Sequence, residues 1–161
     1  AYGPPTDFAG TNAYFYENTG GEFVDVSAAS GIEVFNATTG QPVGKGLAVH
    51  PVDVTGDGWL DLIVANDTVR NFLFVNRQDG TFEEIGIDAG IAFDTAGLAT
   101  GAMGIDAAHY ANDDRLAVLI GNFANEMSSF YVVEGSTATG VFSDDAIVAG
   151  IGAPSLSLIH I

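Results

Sequence analysis

The chain repeats itself, and the repeat restricts its fold more than any other feature. Residues 12–32 read NAYFYENTGGEFVDVSAASGI and residues 71–91 read NFLFVNRQDGTFEEIGIDAGI, an offset of 59 without a gap. Asn12 falls on Asn71, Gly21 on Gly80, Phe23 on Phe82, and Gly31 with Ile32 on Gly90 with Ile91. A weaker third copy, SFYVVEGSTATGVFSDDAIVAGI, occupies 129–151, with Gly140, Phe142, Gly150 and Ile151 each 60 residues after their counterparts. The intervening segments match as well: GLAVHPVDVTGDGWLDLIVAN (46–66) aligns with AMGIDAAHYANDDRLAVLIGN (102–122) at an offset of 56. A period of 55–60 residues means stacked supersecondary units, none of which buries its apolar face alone. The chain divides into the back half of one unit plus a linker (1–45), a full unit (46–101), a second full unit (102–154) and a tail of uncertain identity (155–161).

Each full unit offers four strands, near 46–52, 60–66, 71–76 and 80–86 and again near 102–109, 115–122, 129–134 and 140–144. NRQDG (76–80) reads as a hairpin turn, and helical turns are expected at 27–31 and 87–91. The 21 glycines fall largely between short apolar runs, as many turns between many strands require. LDLIVA (60–65) is apolar on both faces beyond Asp61, and so is AVLIG (117–121). Strands of that kind are covered on both faces. A β-sandwich would leave most strands half polar. Four-stranded sheets repeated around an axis satisfy the pattern better, and the expected fold is all-β, a β-propeller fragment of about two and a half four-stranded blades.

The segment DVTGDGWLD (53–61) runs straight into the apolar strand. Numbered from Asp53, side-chain oxygens fall at positions 1 (Asp53), 3 (Thr55), 5 (Asp57) and 9 (Asp61), with Gly58 at position 6 and the Trp59 carbonyl at position 7. This is the opening of the EF-hand ligand pattern, closed at position 9 instead of 12. Carboxylates about 4 Å apart repel by roughly 1 kcal/mol in water and more when partly buried, so three converging here call for a cation. A donor set made only of oxygen suits Ca²⁺ better than Mg²⁺ or Zn²⁺. The expected metal ligands are therefore Asp53, Thr55, Asp57, Trp59 and Asp61. In the second unit the matching positions are His109, Ala111, Asp113, Asp114 and Ala117, so that loop is expected to hold calcium weakly or not at all.

Composition removes whole classes of function. With 21 acidic and 4 basic residues the net charge is −17, a surface that repels phosphate backbones and anionic membranes; no nucleic acid and no membrane insertion are expected. The absence of Cys excludes disulfides and thiolate chemistry. No apolar run approaches the roughly 20 residues of a membrane span. The chain starts with Ala, which reads as a mature chain or a piece of a longer one. Neither GxSxG nor HExxH is present, and GKG (44–46) lacks the rest of a phosphate loop. The pairs Glu83 and Glu84, and Asp144 and Asp145, are neighbours on strands and point to opposite faces. His50 reads as a rim or core residue, and Asn36 and Asn66 head N-x-T sequons. No catalytic residue is expected.

The loop DVTGDGWLDLIVAN and the hairpin NFLFVNRQDGTFEE together resemble the VCBS/FG-GAP repeats, which also occur in integrin α-subunit propellers. The nearest resemblance is to bacterial secreted proteins of the ASPIC/UnbV type, relatives of cartilage acidic protein, over residues 12–151. The resemblance implies a β-propeller, commonly of seven blades, with Ca²⁺ in blade loops. It assigns Asp53, Thr55, Asp57 and Asp61 as side-chain ligands with the carbonyl of Trp59. It further implies export to an extracellular, periplasmic or cell-surface location, a role in adhesion or binding, and no reaction. Partners on this reading are the remaining blades of a longer chain and an extracellular protein or glycan. Two other readings stand beside it: an ancillary, carbohydrate-binding domain of a larger secreted enzyme, and a sugar-binding lectin of propeller type.

Overall fold

The structure, a computed structural model, describes residues 3–135 and 140–156. A first antiparallel hairpin pairs β1 (Tyr16–Asn18) with β2 (Phe23–Asp25) and leads into one helical turn, α1 (Ser27–Ser30). Two four-stranded meanders follow. The first comprises β3 (Gly46–Val52), β4 (Asp61–Asn66), β5 (Phe72–Asn76) and β6 (Phe82–Glu84). The second comprises β7 (Ala102–His109), β8 (Leu116–Asn122), β9 (Ser129–Val133) and β10 (Phe142–Asp144), and a short turn α2 (Gly152–Ser155) closes the described chain. Each strand pairs with its sequence neighbour, and both sheets carry a register shift at the same place, between Gly46 and Ala48 and between Ala102 and Gly104. The architecture is all-β and fits a propeller fragment: two blades preceded by an outer hairpin. Residues 157–161 of the tail, with His160, lie outside the described residues.

Alternation along the strands decides what each face meets. Ile63, Ala65 and Leu73 of the first sheet are fully buried against Leu116, Val118, Ile120 and Tyr131 of the second. Burial of the Ile, Leu and Val side chains contributes roughly 1.5–3 kcal/mol each. The Tyr131 hydroxyl keeps a partner in the Phe93 carbonyl at 2.9 Å, and burial pushes its pKa up to about 12. The opposite face of the first sheet, with Phe72, Phe74, Leu62 and Val64, packs on Phe15, Ile32 and Val34. The strand from Asp61 to Ala65 is thus covered on both faces, as its composition requires, while Leu60 just before it is 56% exposed. Strand 117–121 departs from that expectation: Val118 and Ile120 are buried, but Leu119 on the other face is 42% exposed, because no described element covers it.

The register of the first hairpin also departs from the gapless repeat. Asn18 pairs with Phe23, whereas Asn76 pairs with Phe82, so the first turn is one residue shorter. Upstream of the turn the true offset is 58. Tyr14 and Tyr16 therefore stand where Phe72 and Phe74 stand in the next unit, and Phe15 takes the place of Leu73. Burial agrees: Phe15 joins the core, while Tyr14 and Tyr16 are exposed.

Candidate functional site

The 53–61 loop connects β3 to β4, and its conformation follows from its aspartates. The Asp53 carboxylate lies inside the turn. Its Oδ1 accepts from the N–H groups of Gly56 (2.7 Å) and Asp57 (3.1 Å), and its Oδ2 from that of Gly58 (2.8 Å). Thr55 Oγ1 lies 3.5 Å from Asp53 Oδ1. Gly56 and Gly58 have φ of 72° and 88°, a left-handed backbone that glycine adopts without a Cβ clash and that turns the amides inward. Asp57 is exposed; Trp59 donates its N–H to Oδ1, and Gln78 donates from Nε2 to Oδ2, both at 2.8 Å. The Trp59 amide, followed by the Gln78 side chain, holds the Asp57 carboxyl below the usual range. Trp59 itself is half exposed.

Asp61 differs from the others. It is fully buried at the start of β4. Its Oδ2 accepts from the N–H groups of Val54 (2.9 Å) and Thr55 (3.3 Å), and its Oδ1 from that of Asn76 (2.9 Å). Loss of hydration raises its pKa, against the opposing pull of those three amides, and the nearby Asp57 charge adds to the rise. Asp61 thus ties the loop to β4 and to the end of β5. Asn76 adds a second tie, its Nδ2 donating to the Leu60 carbonyl at 3.1 Å.

The chemistry of this donor set fits a hard cation, since every predicted ligand offers oxygen. A carboxylate has about four acceptor sites. Asp53 fills them within the loop, whereas Asp57 and Asp61 keep capacity. The structure sets Thr55 beside Asp53, which also accepts the Asp57 N–H, and ties Asp61 to the Val54 and Thr55 backbone of the same loop. Among the described residues, however, no three His, Asp or Glu side chains converge as a metal-holding group. The carboxylates face the loop's own amides.

The second loop, between β7 and β8, replaces this arrangement with an internal cation. Arg115, in the position of Trp59, donates its N–H to Asp113 Oδ1 (3.0 Å) and Nε–H to Oδ2 (2.8 Å). These contacts hold the Asp113 carboxyl below its usual value. The Arg115 guanidinium also sits 5.4 Å from the centre of the Tyr110 ring, which meets Phe130 edge-on. Ala117 is buried where Asp61 stands in the first unit.

Other candidates from the sequence resolve into structural roles. Glu84 pairs with Arg70 at 2.7 Å, and Glu83 with Arg77. Asp25, Glu84 and Asp144, equivalent in the three copies, each accept an N–H two residues ahead and so hold the turn after the hairpin. His50 Nδ1 lies 3.9 Å from Asp106 across the two sheets. Asn66 is fully buried, accepting from the Lys45 N–H and donating to the Arg70 carbonyl, both at 2.8 Å, so its sequon is closed to modification. Asn122 repeats the role, donating to the Met127 carbonyl at 2.6 Å. The sequence marks Asn66 only as the head of a sequon and leaves Asn122 unremarked; the shared Asn at the end of both strands in the alignment at an offset of 56 is the signal for their common role.

Residues 53–120, from the first aspartate of the loop through most of β8, match the family model described as FG-GAP-like repeat. None of the curated proteins compared with the chain matches it.

Proposed function

We propose that this chain, with its FG-GAP-like repeat over 53–120, is a non-catalytic, calcium-stabilised extracellular module serving as a scaffold or recognition surface. Within the repeat class we read its motifs as similar to the ASPIC/UnbV type. The observation that carries the reading is the 53–61 loop: a buried carboxylate, Asp61, its pKa raised by desolvation, in a loop that also carries Asp53, Thr55 and Asp57. A divalent cation there would neutralise charge that burial disfavours. Asp53, Thr55, Asp57, Asp61 and the Trp59 carbonyl are the residues to hold it, Asp53 releasing loop amides as it turns to the ion. Asp57, exposed and with acceptor sites to spare, is the group free to turn toward the ion without loss of a core bond.

The excess of acidic over basic residues favours cation-rich surroundings, and no helix among the described residues is long and apolar enough to cross a membrane. Partners on this reading are further blades against the open sheet faces, and an extracellular protein or glycan at the loops.

Trp59 lies within the loop and sensitises terbium luminescence if the ion binds there. Calcium competes the signal away, and Asp57→Ala abolishes it. Calcium at about 100 times its dissociation constant adds about 2.7 kcal/mol of stability. A melting temperature indifferent to millimolar calcium or EDTA, together with absent terbium luminescence, would sink the calcium part of the proposal.

A further inference from the structure

We infer that the hollow between the 94–100 segment and the β8–β9 turn is a binding site for a guanidinium group, the side chain of an arginine on a protein partner. The inference deepens the recognition-surface reading and rests on it. The hollow has a volume of about 330 Å³, within the roughly 300–1,000 Å³ range of small-ligand pockets. Its walls are the segment that leads from the first sheet to the second, the turn at 125–129 and the turn after β10, with Leu156 at one side. Ile147 on its rim is 61% exposed, and its counterpart Ile87, which has a full unit after it, is 57% exposed. The opening therefore belongs to the turn itself.

The first sheet shows what fills this place there. Leu62 pairs with Phe74 and Val118 with Tyr131, so Phe74 matches Tyr131. Two residues earlier Phe72 matches Ser129, and before it Arg70 matches Met127. The strand-end asparagines agree, Asn66 donating to the Arg70 carbonyl and Asn122 to that of Met127. In the first unit the Arg70 guanidinium lies 4.8 Å from the centre of the Phe72 ring and bonds Glu84 at 2.7 Å. The second unit keeps the acid, as Asp144, but has Ser129 in place of the ring and Met127 in place of the guanidinium, and all three line the hollow. Ring and cation are removed together, and their carboxylate partner stays.

Two more carboxylates line the same hollow, those of Asp94 and Glu126. Backbone N–H groups hold each of the three by one oxygen: those of Ala96 and Leu98 on Asp94 Oδ1, of Gly101 on Glu126 Oε2, and of Phe130 and Ala146 on Asp144 Oδ1. The chain has four Lys and Arg residues, and all are engaged elsewhere: Lys45 with the Pro5 carbonyl, Arg70 with Glu84, Arg77 with Glu83 and Arg115 with Asp113. Three partly buried carboxylates without a counter-charge favour a cationic guest. A single metal ion matches them poorly, since among the described residues no three acids converge as a metal-holding group. A guanidinium spans separated acceptors with its planar fork of five donors, and its methylene stem suits the apolar walls of Met127, Ile147 and Leu156.

Calorimetric titration of the whole chain, in EDTA and at low salt, tests this with arginine blocked at both ends as its N-acetyl amide. The blocked arginine binds, more weakly as salt rises, and the uncharged citrulline analogue of the same shape does not. Asp144→Asn keeps the oxygen that accepts both N–H groups and weakens binding about tenfold. Met127→Arg returns the guanidinium of the first unit to its place and abolishes binding without lowering the melting temperature. Backbone NMR shifts on titration gather at 94–101, 125–129 and 144–147. Absent binding of the blocked arginine, equal binding of citrulline, titration unaffected by Met127→Arg, or shifts spread evenly over the acidic surface would overturn the proposal. Free arginine that binds more tightly than the blocked form would overturn the assignment to a polypeptide. Terbium luminescence from Trp59 is read on the same proteins, and a calcium response that survives failed arginine binding leaves the calcium reading standing.

Discussion

Asp61→Ala removes a carboxylate on which three backbone N–H groups converge, those of Val54, Thr55 and Asn76. Val54 is fully buried, so its N–H loses its acceptor with no water to replace it. An unsatisfied donor of that kind costs about 1–3 kcal/mol. The Thr55 and Asn76 amides are part-buried and recover some hydration. Together the losses come to about 3 kcal/mol. Against them stands relief of a charge that burial disfavours. Because its folded-state pKa is raised, Asp61 contributes stability that is fully present below the ordinary value of 3.8 and is lost as pH rises through the higher folded value. The variant lacks this titration. Its deficit is therefore largest in acid and narrows toward neutrality. Urea unfolding of both proteins without calcium, at acid and at neutral pH, measures the difference, in which the background charge of −17 largely cancels. A deficit below about 0.5 kcal/mol at both pH values, the range of an ordinary surface change, would refute the anchoring role. A deficit that widens as pH rises would refute the sign of the Asp61 contribution.

Two further outcomes follow from the repeat contacts and the second loop. Gly90→Ala places a Cβ at 2.6 Å from the Phe142 carbonyl oxygen on a backbone with φ of 79°; thermal denaturation should show a loss of more than about 2 kcal/mol, beyond the left-handed penalty of roughly 1–2 kcal/mol. Gly20→Ala, at φ of 90° with nothing among the described residues within 4 Å, carries that penalty alone, and the gap between the two variants reports the contact of Gly90 with Phe142. Arg115→Ala lets the Asp113 pKa, followed by NMR, climb toward 3.8. The depressed value means that the Asp113 contribution is present above 3.8 and lost as pH falls through the lower folded value, so wild type and variant converge in acid.

Much of this molecule is written in local pattern. The 55–60-residue repeat, the four strands per unit and the turn at 76–80 depend on alternation and on Gly and Asp placement within a few residues, and they are legible in the chain alone. So is the gathering of Asp53, Thr55 and Asp57 in one loop. What the chain alone could not reveal depends on partners distant in sequence. The one-residue difference between the Asn18–Phe23 and Asn76–Phe82 pairings exchanges the faces of Tyr14, Phe15 and Tyr16, because strand side chains alternate. Leu119 and Ile63 are both apolar strand residues in matching positions; one is open and the other buried solely by what packs above it. The role of Asp61 depends on Asn76, 15 residues away, whose N–H it accepts. Local chemistry sets which groups a loop offers, and only the assembled sheets settle whether water, an amide or a neighbouring side chain meets them.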